Sequence, residues 1–444
     1  MNWLLSWPRG DICVVKLEFG VPQTVADGRD KTASHNKSVL PIHVGLLWHS
    51  IDNPNLGVGA LSIANAGLIT GAAEKLGLPV TLHVIGPAGT FDYGHEIPGD
   101  WDNAELSRTR LANPFSSFHQ RLRQCDVVFD IGAGDSFSDI YAGKRFPLMI
   151  LSKFAAKLAG ARLVLSPQTI GPFFGWQAKI AARAALSVCD HTFARDQLSR
   201  DYLSELGFDA KSSLTTDVAF ALPYTVQETA NRALPGEPEP VRVGLNVSGL
   251  LYRAHRSPHA NVRLRADYPK LIYRIVERLS ADEAYEVHLI AHVINSEDAP
   301  IPEEGHFEDD YSTAQEIQAR FPGCVVAPKF ETPIEAKSYI AGMDVFAGSR
   351  MHSTIAAISS DTAVIPLGYS RKFNGLFDSI GYNWNIDLTQ IGEDDALVSF
   401  FEAMGRIDAL KRDAIAANAQ ARERLRGYVA FIESALLEAA ARRA

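Results

Sequence analysis

The run from Asp344 to Ala357 holds the residues best suited to chemistry, because Ser349, Arg350 and His352 follow directly on a short apolar stretch that ends at Gly348. An apolar run, a glycine and then alternating small and apolar residues predict a buried strand, a tight turn and the first turns of a helix. Free backbone N–H groups and the positive end of the helix dipole at such a start favour an anion. Arg350 adds a fixed charge and His352 a titratable one, so the segment suits a phosphate or a carboxylate. A serine cap followed by an arginine and a histidine that merely face solvent would produce the same letters. The elements around the segment have to decide.

Two other loops carry polar groups at strand ends. Gly132-Ala133-Gly134 follows the apolar run Asp126 to Ile131, but Phe137 stands where a dinucleotide fingerprint needs its third glycine and Asp135 would repel a pyrophosphate. A nicotinamide or flavin site is therefore not expected. Gly132 and Gly134 let a ligand approach the backbone, and Asp139 either accepts hydrogen bonds from hydroxyls or caps a helix. The loop Ser166-Pro167-Gln168-Thr169-Ile170-Gly171-Pro172-Phe173 is held by two prolines and a glycine and presents the amide of Gln168 and the hydroxyl of Thr169. His292, at the end of another predicted strand, is either structural or a ligand.

These loops recur at strand ends because the chain alternates strands and helices. Strands are expected over 42–48, 79–85, 126–131, 162–165 and 191–194, then over 241–247, 286–293, 324–327 and 363–366. Helices lie between them, which implies parallel sheets covered on both faces. Pro223 to Pro240 is rich in proline and polar residues and reads as a linker. The expected organisation is an N-terminal extension over 1–40, an α/β domain over 41–222, the linker, a second α/β domain over 241–400, and a helical tail over 401–444. Two doubly wound, Rossmann-like domains then face a cleft, where ligands bind beyond the carboxyl ends of the strands.

The 444 residues carry a net charge of -9, which argues against nucleic acid as a partner, and 46% apolar residues are enough for large cores. Cys13, Cys125, Cys189 and Cys324 are far apart, so neither a disulfide framework nor a zinc site is expected. The apolar start Trp3 to Trp7 is too short for a signal segment. No later run is expected to span a bilayer, since Lys153, Lys157 and Arg162 interrupt the most apolar region. A cytoplasmic location follows.

The loops Gly132 to Tyr141 and Ser166 to Phe173, the pieces Ala194-Arg195-Asp196 and Asp217, the strands Val243 to Ser248 and His288 to His292, and Gly348 to His352 with Pro366 to Lys372 together resemble the polysaccharide pyruvyl transferase family. The resemblance implies a fold like that of GT-B glycosyltransferases. It implies transfer of an enolpyruvyl-derived group from phosphoenolpyruvate to two hydroxyls of a sugar, giving a ketal, on an exopolysaccharide or its lipid-linked precursor. Such an acceptor would bring the protein to the inner face of the membrane. Arg350 and His352 become catalytic candidates, and Arg195, Lys372, Ser349, Asn246, Ser248, His292, Gln168, Thr169, Gly132, Gly134 and Asp139 binding candidates. Two positions depart from the family pattern. Members often show Asn-x-Gly-Asp where this chain has Asn55-Leu56-Gly57-Val58, and some place an arginine where it has Asn246-Val247-Ser248, a gap that Arg253, Arg256 or Lys372 would fill.

The residue types suit that chemistry. Phosphoenolpyruvate carries two anionic groups on one small frame and needs several cations or helix starts close together. Ketal formation needs a proton at the methylene carbon, and histidine as a residue type titrates near ~6.5, where it can supply one. No cofactor or metal is expected. A GT-B glycosyltransferase would use the same helix start for the diphosphate of a nucleotide sugar, and a non-catalytic sugar-binding or assembly subunit would keep the fold. Against the subunit stands the joint presence of Arg350, His352 and Lys372.

Overall fold

Strands rich in valine, leucine and isoleucine bury both faces, and that requirement builds both halves of the molecule. A computed structural model describes residues 14–15, 40–134, 137–139, 145–225, 239–254, 263–295 and 308–444. Most of the expected N-terminal extension and linker, together with Asp135 and Arg256, lies outside them.

A short pair comes first in the chain: β1 (Val14–Val15) lies antiparallel to β9 (Tyr224–Thr225). The first domain is a seven-stranded parallel sheet of β2 (Ile42–Leu47), β3 (Val80–Gly86), β4 (Asp100–Glu105), β5 (Val127–Asp130), β6 (Arg162–Gln168), β7 (His191–Ala194) and β8 (Ser212–Leu214), in the order 4-3-2-5-6-7-8. Its helices are α1 (Leu56–Leu76), α2 (Arg108–Ala112), α3 (Ser117–Gln124), α4 (Arg145–Leu158), α5 (Trp176–Val188) and α6 (Gln197–Glu205). Side chains alternate between the two faces as the strand period demands. Ile42, Val44 and Leu46 enter one apolar core, and Leu47, Val128, Leu163 and Leu165 enter another.

The second domain repeats the plan with six parallel strands, β10 (Val241–Asn246), β11 (Tyr285–Leu289), β12 (Val325–Val326), β13 (Val345–Gly348), β14 (Ala363–Gly368) and β15 (Ile386–Asp387), ordered 12-11-10-13-14-15. Its helices are α7 (Gly249–Tyr252), α8 (Tyr268–Ser280), α9 (Asp310–Arg320), α10 (Pro333–Ala341), α11 (Met351–Ser359), α12 (Arg371–Ser379) and α13 (Glu393–Met404). The tail is one helix, α14 (Ile407–Arg443).

α14 returns to the first domain. Tyr428 donates to Asn65 of α1 and lies 3.0 Å from Ser166 of β6, while Arg443 pairs with Asp126. One core runs from Leu61 and Ile63 of α1 through Ile355 and Ile358 of α11 to Leu425 and Ile432 of α14, so the domains share apolar packing. α1 corrects one expectation. It is the only helix among the described residues long and apolar enough to cross a membrane by composition, yet it is buried inside the fold. Its glycines and alanines make it apolar on every side, the pattern of a helix packed all round. Asn55 caps its start and Gly77, left-handed at φ 65°, ends it.

Candidate active site

The carboxyl ends of the two sheets meet where α1 follows β2 and α11 follows β13. Backbone bonds stitch them together: Leu56 N–H donates to His292 O (3.1 Å), Ile294 N–H to Pro54 O (3.0 Å), and Asn55 bridges Val293. Gly57, in the first turn of α1, lies against His352. A Cβ there would stand 2.5 Å from Nδ1 and 2.9 Å from the histidine's own Cβ, so only glycine lets the imidazole rest on that helix start.

From the first domain, Arg195 reaches the same place. It is 1% exposed, and its Nη1 donates to Asp217 Oδ2 at 2.8 Å while its Nε donates to Thr169 Oγ1 at 2.8 Å. Thr169 in turn donates to Asp196, the cap of α6. His352 Nε2 stands 3.7 Å from that same Asp217 oxygen, too far for a direct hydrogen bond and near enough for attraction, and it has no hydrogen-bond partner. Burial works against ionisation of Asp217, but the contact with His352 and the charge of Arg195 bring its carboxyl down to about 2. Asp217 is therefore a carboxylate at neutral pH. Arg195 Nη2 and Thr216 Oγ1 are likewise buried without a hydrogen-bond partner.

The second domain supplies Arg350 as the residue before α11. Its backbone N–H donates to Asn246 Oδ1 (3.0 Å), and its guanidinium holds buried Asp310 through Nε and Nη2, with Nη2 also donating to Glu308 O. Asp310 keeps Arg350 firmly charged against burial. One edge of the fork that the sequence reserves for an anion is thus taken by a carboxylate of the protein. His292 lies close by, 2% exposed, with both ring nitrogens unpartnered. Burial and then the charges of His352 and Arg350 push its ring down to about 3, so it stands neutral, able to donate one hydrogen bond and accept another.

Other candidates build the frame. Ser349 Oγ bonds Tyr268 (2.8 Å), whose hydroxyl also accepts from Ser248 N–H, while Ser248 caps α7. Gln168 donates to Asp130 O and Ser166 O. Gly132, left-handed at φ 64°, passes so near that a Cβ would sit 2.5 Å from Gln168 Oε1. Gly134 closes the same short turn. Asp139 accepts from Phe174 and Gly175 N–H just ahead of α5, which is the capping alternative. Arg253 is engaged with Asp309 O and Thr313 of α9, and Lys372 is half-buried in the first turn of α12.

Sequence reasoning passed over Gly57 and Asp310 and gave Asp217 no role. Asp310 sits within Glu308-Asp309-Asp310, letters that read as a solvated acidic turn. Val58, where an acid is missing from the family pattern, is buried.

Among solved structures the fold is similar to the UDP-N-acetylglucosamine 2-epimerase of Neisseria meningitidis bound to UDP-N-acetylglucosamine, with a TM-score of 0.54 and 11% identity over 90% of this chain and 100% of that one. A protein of Listeria monocytogenes described as a UDP-N-acetylglucosamine 2-epimerase gives a TM-score of 0.53 at 11% identity, covering 85% and 92%. At such identities the likeness speaks for the fold, two Rossmann-like domains in the GT-B arrangement. The family model described as polysaccharide pyruvyl transferase matches residues 73–371, well over half of the chain and inclusive of Arg195, Asp217, His292, Asp310, Arg350 and His352. The chain belongs to the polysaccharide pyruvyl transferase family.

Proposed function

We propose that this protein transfers the pyruvyl group of phosphoenolpyruvate to two hydroxyls of one sugar, as a ketal, on an exopolysaccharide or its lipid-linked precursor, with release of phosphate. The observation that carries the proposal is Arg195 Nη2, a buried guanidinium nitrogen without a partner beside the Asp217–His352 pair. A buried cationic donor left open costs free energy unless an anion fills it. Neutral His292 and the hydroxyl of Thr216 supply further open groups for phosphate or carboxylate oxygens. Lys372 is proposed as a second cation on the donor.

His352, beside the Asp217 carboxylate, delivers its Nε2 proton to the methylene carbon, which becomes a methyl group. Positive charge grows on the neighbouring carbon, the first sugar hydroxyl bonds there, and its proton returns to His352. The carbon–oxygen bond to phosphate then breaks and the second hydroxyl bonds to the same carbon. Of the two hydroxyl protons, one ends on the methyl group and the other on phosphate. No cofactor or metal takes part. The acid is assigned to His352 rather than His292, whose ring burial pushes down to about 3.

Phosphate release from phosphoenolpyruvate, measured with a panel of lipid-linked oligosaccharides and with nucleotide sugars in parallel, tests the assignment. Release that depends on acceptor, with a pyruvyl ketal on the product by mass, is expected. Turnover of a nucleotide sugar with phosphoenolpyruvate untouched would replace it with glycosyl transfer.

A further inference from the structure

Helices α2, α3 and α4 enclose an open groove of about 790 Å³ on the outer face of the first domain, away from the domain junction. Its floor is a stripe on α4, Leu148, Leu151, Phe154, Ala155 and Leu158, spaced so that all lie on one side of the helix. The opposite side of α4, with Met149, Ile150 and Ala156, already faces the core. Leu148, Phe154 and Ala155 also pack against the first domain's core, whereas Leu151 and Leu158 are 54% and 88% exposed. Phe115, between α2 and α3, is 82% exposed, and α5, packed beside α4, exposes Trp176 and Ile180. Apolar exposure concentrated in this way marks a surface that meets something.

Charge says what it meets. Most nearby cations are matched by acids of neighbouring elements, Arg110 by Glu105, Arg121 by Asp102, buried Lys153 by Asp130, Lys157 by Asp190 and Arg162 by Glu438, which leaves Arg108 and Arg123 without an acid partner among the described residues. Arg108 and Arg123, both exposed, and His119 line the groove beside the leucines. A second copy of this chain would set arginines against arginines. An anionic bilayer offers both requirements together, acyl chains for the leucines and phosphates for the guanidinium groups.

We propose that this groove is a membrane-docking surface that seats the first domain on a bilayer rich in anionic lipid. It goes beyond the donor and acceptor chemistry above and does not depend on it.

Flotation of the full chain with vesicles tests it. Binding to phosphatidylglycerol-containing vesicles, little binding to pure phosphatidylcholine, and weakening in high salt are expected. The double variant Leu151→Glu/Leu158→Glu should lose vesicle binding by about tenfold or more with its thermal melt unchanged, since both side chains face outward. Arg108→Glu/Arg123→Glu should lose the preference for anionic lipid. Absence of binding to anionic vesicles at low salt, or undiminished binding by the leucine double variant, overturns the proposal. So does a concentration-dependent dimer, seen without vesicle binding, that Leu151→Glu abolishes. Because no donor is present in the flotation, its outcome is separate from that of the pyruvyl transfer assay.

Discussion

Each domain buries one arginine on one aspartate, and the two pairs are built differently. Arg350 gives Nε and Nη2 to Asp310 and Nη2 again to Glu308 O, so that edge of its guanidinium is spent on the protein. Arg195 gives Nε to Thr169 and Nη1 to Asp217, leaving Nη2 open in a buried place beside His352. A closed pair fixes geometry, whereas a pair with one vacant donor is prepared for a further anion. Asp310 also accepts from Gly249 N–H and Val293 N–H, so the closed pair ties α7, α9, α11 and the loop after β11 into one frame. On this contrast Arg350 ties the elements of the second domain together, and Arg195 is the arginine proposed to meet the donor.

The largest expected effect breaks the closed pair. Asp310→Ala strands a buried guanidinium and should cost about 3–5 kcal/mol of folding stability, read by chemical denaturation. A loss below about 1 kcal/mol would show that Arg350 finds water or another partner, and the contrast would lapse.

His352→Gln keeps a hydrogen-bonding group and removes the acid, so turnover should fall by about 10²-fold or more with donor affinity little changed. Gly57→Ala should reduce turnover in the same sense by pushing the ring off α1, because the added methyl group meets the base of the histidine as well as its tip. Normal turnover with a raised donor KM in His352→Gln would make His352 a phosphate ligand.

Lysine in place of each arginine sharpens the comparison. Arg195→Lys should weaken phosphoenolpyruvate binding by about tenfold, since a point charge cannot serve Asp217, Thr169 and an anion at once. Arg350→Lys should lower stability more than affinity. Calorimetry and melting curves on both variants decide, and the reverse pattern would exchange their roles.

The smallest effect concerns Lys337 of α10, at the domain junction, which donates to Leu222 O (2.7 Å). Burial, and then the charge of Arg422, lowers its amine to about 7 from the ordinary 10.5. Between those values the unfolded chain binds a proton that the native protein does not, so this group makes stability rise with pH from about 7 upward. Lys337→Met should remove that slope. The difference between the wild-type and variant stability curves from pH 7 to 9 isolates it, and identical slopes would show the amine charged in the native state.

Most of the two sheets is legible in the sequence because their central strands are continuous apolar runs between glycine or proline turns. The edges are not. β4, Asp-Trp-Asp-Asn-Ala-Glu, and β8, Ser-Ser-Leu, carry the polar residues that edge strands use, and neither has a strand's pattern. α12 and α13 are also missed, as they lie between the last predicted strand and the tail. In the site, Arg350, His352 and Arg195 stand out by type. Asp217 and Asp310 do not, because a lone acid shows its role only through the cation that the fold brings to it. Arg350 itself shows the limit: its position at a helix start is readable, but its partner lies forty residues away in sequence.

α14 has a consequence for how the molecule is made. Its residues Arg424, Tyr428, Glu433, Glu438 and Arg443 bond to Thr215, Ser166, Lys75, Arg162 and Asp126 of the first domain, and Tyr428 packs on Phe129 and Phe193. A later part of the chain therefore covers a face of an earlier part. While the ribosome is still making the second domain, that face has no cover, and at ordinary elongation rates of about 5–20 residues per second the nascent chain waits for seconds to tens of seconds in that state. Premature termination ahead of Ile407 leaves a chain whose apolar flank, shared by α1 and α11, stays open, a product for chaperones and proteases rather than a slower enzyme.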